Sequence, residues 1–202
     1  MVVVRFADDF VVGFEHRGDA EQFVTDLRDR FARFGFTLHP DKTRLIEFGR
    51  FAAAHRRARG EGKPESFNFL GFTHSCAATR WGRFTVLRRT MRTRVQAKLK
   101  EVKFELRRRM HQPVPEIGVY VRAVLLGHVR YYGVPMNSPS LFAFAWSVAR
   151  LWWQTLRRRS QRHVPWQQMQ RHIARWAPPL RVCHPYPLVR FGVVTQGGSR
   201  MR

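Results

Sequence analysis

Residues 2–14 read Val-Val-Val-Arg-Phe-Ala-Asp-Asp-Phe-Val-Val-Gly-Phe. Two runs of β-branched and aromatic residues, 2–6 and 10–14, flank the short segment Ala7-Asp8-Asp9. Such runs favour strands, and a short polar segment between two of them favours a tight turn. The stretch therefore predicts a β-hairpin that carries two carboxylates at its tip.

The segment after the hairpin predicts a small α+β unit. Apolar residues recur at helical spacing over 19–34, and Gly35 is a typical C-terminal stop. A turn at Pro40-Asp41 and a short strand over 44–48 follow, and two more strands are expected over 67–72 and 83–87. Residues 50–65 are rich in Arg, Gly and Ala without periodicity, which predicts a mobile surface loop.

The rest of the chain predicts helices. From Leu87 to Met110 apolar residues recur at helical spacing while most basic residues fall elsewhere on the wheel, so we expect one long helix with a core stripe and a basic face. Further helices are expected over 116–132, 138–159 and 166–176, with a Pro-rich, irregular remainder.

The charge is large and unevenly distributed. The formal net charge is +23, yet residues 1–50 carry 8 basic and 9 acidic side chains, whereas residues 51–202 carry 29 basic and 5 acidic ones. Such an excess in a small domain indicates a polyanionic partner. Both RNA and DNA are polyanions of this kind, and an anionic membrane surface is the competing partner.

Other classes of protein fit poorly. The most apolar stretch, 141–153, is too short for a membrane span and contains Arg150, and the N-terminus does not resemble a signal peptide. The two cysteines are too few for a disulfide framework or a zinc cluster, and the nine histidines lack metal-ligand spacing. We therefore expect a cytoplasmic, nucleoid-associated protein that does not act at a membrane.

Asp8 and Asp9 are the candidate metal ligands. Adjacent aspartates on a tight hairpin offer oxygen donors to a hard cation such as Mg²⁺, and a cation would neutralise their mutual repulsion. An Asp-Asp pair is also common in solvent-facing turns, which is the alternative interpretation.

Five stretches in order resemble the reverse transcriptase/maturases encoded by group II introns. Residues 3–10 resemble the block with two aspartates between hydrophobic strands, although Phe6 replaces the usual Tyr. Residues 33–43 resemble the next block, in which a Gly-x-x-Leu stretch precedes Lys42-Thr43, and residues 67–72 are similar to a primer-gripping hairpin. Residues 126–133 are similar to the maturase signature. Residues 183–187 are similar to a stretch near the end of bacterial members.

The resemblance implies an α+β fold: a partial reverse transcriptase palm over 1–86, an all-α maturase-specific thumb over 87–177 and an irregular tail over 178–202. It implies a two-metal Mg²⁺ site that uses Asp8 and Asp9, with Lys42 near the triphosphate. Intron RNA, and also a DNA primer or target, are the implied partners. The expected nucleic-acid contacts are Phe69, Leu70, Gly71, Arg88, Arg89, Arg92, Lys98, Lys103, Arg107, Arg108, Arg109, Arg130, Tyr131, Tyr132, Arg157, Arg158 and Arg159.

In the resembling family a third aspartate from an upstream strand completes the metal site. Met1 lies only seven residues before Asp8, so we expect the isolated chain not to polymerise. Three hypotheses follow: an RNA-binding maturase fragment, one piece of a split enzyme completed by a separate palm and fingers chain, or a degenerate mobile-element remnant that binds nucleic acid without specificity.

Overall fold

The computed structural model describes residues 1–40, 42–159 and 164–186. It has two small antiparallel sheets and six helices in that part of the chain. The strands are β1 (Val2–Phe6), β2 (Asp9–Gly13), β3 (Ser66–Phe69), β4 (Phe72–Ala78) and β5 (Phe84–Thr90). The helices are α1 (Arg17–Arg33), α2 (Ala52–Ala58), α3 (Arg92–Arg108), α4 (Val114–Tyr132), α5 (Ser138–Arg159) and α6 (Trp166–Trp176).

The chain divides into two compact units. The first contains Met1–Leu70 and His74–Val86, and the second contains Gly71–Thr73 and the chain from Leu87 onward. Among the described residues, β1 and β2 pair only with each other, and the other sheet has the order β3-β4-β5. No helix in the described part of the chain is both long and apolar enough to cross a membrane.

The first unit is thinly packed. Ala20 and Ala52 are its only buried apolar residues among those described. Its packing consists mostly of ring pairs, such as Phe67 stacked on His74 with centroids 4.9 Å apart and Phe48 against Phe67 at 5.1 Å. Large apolar side chains lie exposed, among them Val3, Phe6 and Trp81.

Several expectations for this unit are wrong in detail. Residues 44–48 form no strand, and the expected loop 50–65 contains α2. Arg59 next to α2 bonds Glu47 and Glu61, and it holds the pKa of each carboxyl below its usual range. Exposed ion pairs of this kind contribute little to stability. Asp41, in the expected turn, lies outside the described residues.

The second unit has one continuous core, formed by α3, α4, α5 and α6. Val102, Leu106, Ile117, Val148 and Met169 are each fully buried in it. The expected long helix from Leu87 is shorter, because 84–90 form strand β5 and α3 begins at Arg92. Periodicity alone could not place that boundary, since Leu87 fits either pattern. Helices α5 and α6 have the expected bounds.

Gly118 lies in α4 where a ring from α6 crosses the helix. A Cβ there would be 2.5 Å from the ring of Trp176, which is closer than side chains approach. Gly127, on the same helix, has nothing within 4 Å of that position. The two glycines therefore differ in packing while sharing a helical backbone.

His128 is buried in the same unit, between aromatic rings. Its ring stacks on Phe144 with centroids 3.7 Å apart and lies 4.6 Å from Tyr132. Its Nε2 atom has no hydrogen-bond partner among the described residues. Burial, with a smaller effect from the charge of Lys98, lowers the pKa of His128 to about 4.

We expect Gly118→Ala to lower the free energy of unfolding by about 1–3 kcal/mol, because Trp176 must shift to admit the methyl group. Gly127→Ala is the matched control and should raise stability by about 0.5–1 kcal/mol through the unfolded state. Urea unfolding of the two variants measures both effects. Equal stability changes in the two variants would contradict the packing of Trp176 on α4.

Acid should destabilise the second unit through His128. The unfolded chain takes up this proton near pH 6.5 and the folded chain only near pH 4, so stability is lost as pH falls through that window. Between pH 7 and pH 4.5 we expect the wild type to lose roughly 2 kcal/mol more than His128→Phe. Chemical unfolding at both pH values measures the difference, and parallel losses in the two proteins would show that His128 is not the group responsible.

Candidate nucleic-acid interface

The hairpin β1–β2 positions the two adjacent aspartates. Phe6 pairs with Asp9, which leaves Ala7 and Asp8 as a two-residue turn. Ala7 has φ 53°, a positive value at the first central position, which is typical of type II′ turns. Asp8 therefore lies in the turn and Asp9 begins β2, so the turn is one residue shorter than the sequence predicts.

Both aspartates are exposed, and their oxygen atoms are the donors that Mg²⁺ prefers. No group of three His, Cys, Asp or Glu side chains suited to a metal ion occurs in residues 1–40, 42–159 and 164–186. The pair therefore fits a magnesium site in donor chemistry and falls short of one in the number of protein ligands. The third ligand that the resemblance calls for is not among the described residues.

Lys42 lies exposed in a turn of the first unit, where its backbone N–H donates to the His39 carbonyl at 3.2 Å. No hydrogen bond or ion pair in the described residues joins Lys42 to Asp8 or Asp9. The structure thus does not bring the three proposed catalytic side chains into contact.

Leu70 and Gly71 form the turn between β3 and β4. Their φ values are 47° and 76°, and two positive values in succession are typical of a type I′ turn. Leucine is rare in this conformation because its Cβ approaches the carbonyl oxygen, whereas glycine adopts it freely. Phe69 ends β3 half-buried, with its ring 6.5 Å from that of His74.

Two of the sequence motifs meet in the second unit. A Cβ on Gly71 would lie 3.0 Å from the Tyr132 hydroxyl and 3.7 Å from the Tyr131 ring, so these rings pack directly on glycine backbone. Phe72 stacks on Tyr131 with an interplanar angle of 11° and contacts Tyr132 edge-on at 5.2 Å. The Gly71 carbonyl also accepts the Met91 N–H at 3.0 Å.

Asn137 organises this cluster and is completely buried. Its Oδ1 accepts the Thr90 N–H at 3.1 Å, and its Nδ2 donates to Thr90 Oγ1 at 2.8 Å and to the Tyr132 carbonyl at 2.9 Å. Sequence reasoning missed this residue. Its position in Pro135-Met136-Asn137-Ser138-Pro139 looks like an ordinary polar turn, and Asn in a turn rarely indicates a buried role.

Helix α3 has two unlike flanks beside its core positions. On one flank three of the four cations are paired with acids: Lys98 with Glu101 at 2.7 Å, and Arg108 and Arg109 with Glu105 at 2.9 and 3.1 Å. Arg109 also lies 4.9 Å from the ring of Tyr120. These three expected RNA contacts are therefore engaged within the protein.

The other flank carries no acid. Its residues follow one another at intervals of three or four and lie in one row about 22 Å long. All are exposed and form no hydrogen bond or ion pair within the described part of the chain. We name this row the acid-free stripe; it comprises Arg92, Gln96, Lys100, Lys103 and Arg107.

The remaining predicted contacts are dispersed. Arg88 and Arg89 belong to β5 and are half-buried, and burial lowers the pKa of the Arg88 guanidinium. Arg130 is exposed at the end of α4, with its carbonyl 2.6 Å from His184 Nε2.

The arginines that end α5 are all exposed but differ in their contacts. Arg157 lies over Trp153 at 4.9 Å, and Arg159 donates to the Gln112 carbonyl at 2.8 Å. Arg158 has no hydrogen bond or ion pair within the described ranges. The dispersed arginines thus do not form a row like the acid-free stripe.

Comparison with known proteins assigns the first part of the chain. Residues 1–74 match the family model for reverse transcriptase (RNA-dependent DNA polymerase). The matched segment includes Asp8, Asp9, Lys42 and the Leu70–Gly71 turn, and it supports a reverse transcriptase fragment, a class that binds nucleic acid. No curated protein and no solved structure matches the chain.

Proposed function

We propose that this chain is part of a group II intron reverse transcriptase/maturase that binds intron RNA to assist splicing and mobility. The family match over residues 1–74 supports the reverse transcriptase part. The maturase part rests on the stretches 126–133 and 183–187 and on the helical unit that contains them. Cys183 and His184 donate their N–H groups to the Gly133 carbonyl, so these two stretches lie together.

The acid-free stripe is the observation that carries the proposal. A row of exposed cations without neighbouring acids is what a phosphate backbone requires, because each phosphate contact displaces a condensed counterion. On the opposite flank of the same helix, Glu101 and Glu105 form ion pairs with Lys98 and Arg108. Apart from Arg94, the helix thus carries its unpaired positive charge on one side.

The polymerase site is assigned only in part. Asp8 and Asp9 would hold Mg²⁺, which when bound activates the primer hydroxyl and neutralises the leaving pyrophosphate. Lys42 would approach the triphosphate. With two protein ligands at the hairpin, the described residues position the metal weakly, and we propose no polymerase activity for the chain alone.

A split enzyme is the second candidate, and the state of the hairpin favours it. Val2, Val3, Val4 and Phe6 are each at least half exposed, and in the part of the chain that the structure describes each strand has one edge without a strand partner. A lone two-stranded hairpin is marginally stable in water, and open edges pair readily with further strands. A separate palm and fingers polypeptide would cover these side chains and supply the missing carboxylate.

We expect the triple change Arg92→Ala, Lys103→Ala and Arg107→Ala to weaken binding to a group II intron RNA. Loss of three phosphate contacts should reduce the slope of log affinity against log salt by about 2. Filter binding over a salt series measures both the affinity and the slope.

The matched control is Lys98→Ala, Arg108→Ala and Arg109→Ala, which removes the same number of cations from the paired flank of α3. It should leave the salt slope nearly unchanged. If both triple variants lose affinity equally, net charge alone drives binding. If the wild type binds intron RNA no more tightly than an unrelated duplex at matched salt, the chain is only a general nucleic-acid binder.

Primer extension tests the metal site. We expect no extension by the chain alone with Mg²⁺ or Mn²⁺, because two carboxylates position the metals poorly. Co-expression with a polypeptide that carries reverse transcriptase fingers and the first palm segment should restore extension, and Asp8→Ala should abolish it. Robust extension by the chain alone that disappears in Asp8→Ala would contradict the incomplete site, and failure to restore extension would count against a split enzyme.

A further inference from the structure

Helices α4, α5 and α6 enclose an apolar groove with a volume of about 480 Å³. Phe142, Trp146, Trp152 and Trp166 line it together with Ile173 and Gln170. We name it the tryptophan groove. It belongs to the second unit and contains none of the residues that the sequence predicts to bind nucleic acid.

The aromatic rings at the rim are open to solvent. Phe142 and Trp146 are each 55% exposed. The Trp166 ring holds Trp146 edge-on at 5.1 Å and Trp153 at 5.3 Å. The rings at the rim therefore hold one another in place, and the indole of Trp146 remains open to solvent.

Arginines accompany the rings along α5. Phe142, Trp146, Arg150, Trp153 and Arg157 follow one another at intervals of three or four, which puts them in one row on the helix. Arg150 is exposed and has no hydrogen bond or ion pair with the described residues. The Arg157 guanidinium lies over the Trp153 ring at 4.9 Å.

The charge around the groove has one sign. Glu116 is the last acidic residue of the sequence, and the residues after it include 13 arginines and no lysine. Arginine binds phosphate through a planar fork and stacks on aromatic faces, so a surface with arginine as its cation suits nucleic acid.

We propose that the tryptophan groove stacks unpaired bases of a nucleic-acid strand whose phosphates contact Arg150 and Arg157. Alternating rings and cations are the combination that holds single strands, since bases stack on the rings while the backbone follows the charge. This inference deepens the proposed function and rests on it. The acid-free stripe of α3 contacts phosphates, whereas the groove recognises exposed bases.

Charge also selects this occupant over a second copy of the chain. Two copies would bring arginine-rich, acid-free surfaces together, and like charges across an interface disfavour association. A nucleic-acid strand instead supplies both the planar apolar surface and the negative charge that the groove lacks.

The test compares two oligonucleotides of about twelve nucleotides, one of uridine and one abasic with the same phosphates. The wild type should bind the uridine oligomer about tenfold more tightly. Trp146→Ala should abolish this preference without changing the affinity for the abasic oligomer or the salt slope. Trp146→Phe should retain most of the preference, because the ring still stacks.

Phe104→Ala is the matched control, since Phe104 is 66% exposed on α3, outside the groove. It should preserve the preference for uridine. Fluorescence anisotropy measures all affinities, and circular dichroism confirms that each variant is folded.

Equal wild-type affinity for the two oligomers would overturn the groove proposal, even if the intron RNA experiment succeeds. An equal loss on both oligomers in Trp146→Ala would also overturn it, as would conversion of a wild-type dimer to monomers in sedimentation with unchanged oligonucleotide binding. The groove would be upheld and the stripe refuted by two results together. The uridine preference would require Trp146, and the triple variant of Arg92, Lys103 and Arg107 would bind intron RNA as the wild type does. No binding of either oligomer at low salt would also refute the groove.

Discussion

The helical unit depends on the side chain of Asn137. A buried amide must satisfy its donors and its acceptor inside the protein, because an unpaired polar group in the interior costs about 1–3 kcal/mol. Asn137 does this by bonding Thr90 at the end of β5 and the Tyr132 carbonyl at the end of α4. Its three bonds fix the point where the chain leaves α4 and enters α5, and they hold the tyrosine pair against Gly71.

This arrangement explains why two stretches far apart in sequence belong together. Gly71 has no side chain, so the Tyr132 hydroxyl can approach its backbone, while Phe72 stacks on Tyr131. The aromatic pair at the end of α4 thus serves packing through Tyr132, and Tyr131 keeps 54% of its surface exposed. Of these two adjacent tyrosines, Tyr132 is the packed ring and Tyr131 is the accessible one.

Sequence patterns predicted the elements whose signals are local. Ser138-Pro139 begins α5 as a helix start should, and two runs of β-branched and aromatic residues on either side of a short turn predicted the β1–β2 hairpin. Sequence patterns placed other boundaries between strands and helices wrongly. Leu87 fits the helical stripe by spacing, yet it belongs to β5, which pairs with the preceding strand β4.

At the candidate site, too, sequence patterns could not predict every feature. Composition indicated that the chain binds a polyanion, but it could not separate Arg107 from Arg108, of which only Arg108 pairs with Glu105 on the helix. Tryptophan is a residue type that is usually packed, yet the position of Trp146 on the outer side of α5 leaves it exposed. Which flank of a helix stays exposed depends on the packing of neighbouring helices.

The choice of cation in the two helical surfaces has a chemical consequence. The acid-free stripe of α3 contains Lys100 and Lys103, whereas every cation after Lys103 is arginine. A guanidinium keeps its proton in strongly alkaline solution and resists the acylating reagents that modify amines. Acylation would therefore remove charge from α3 and leave the arginine rim of the tryptophan groove fully charged.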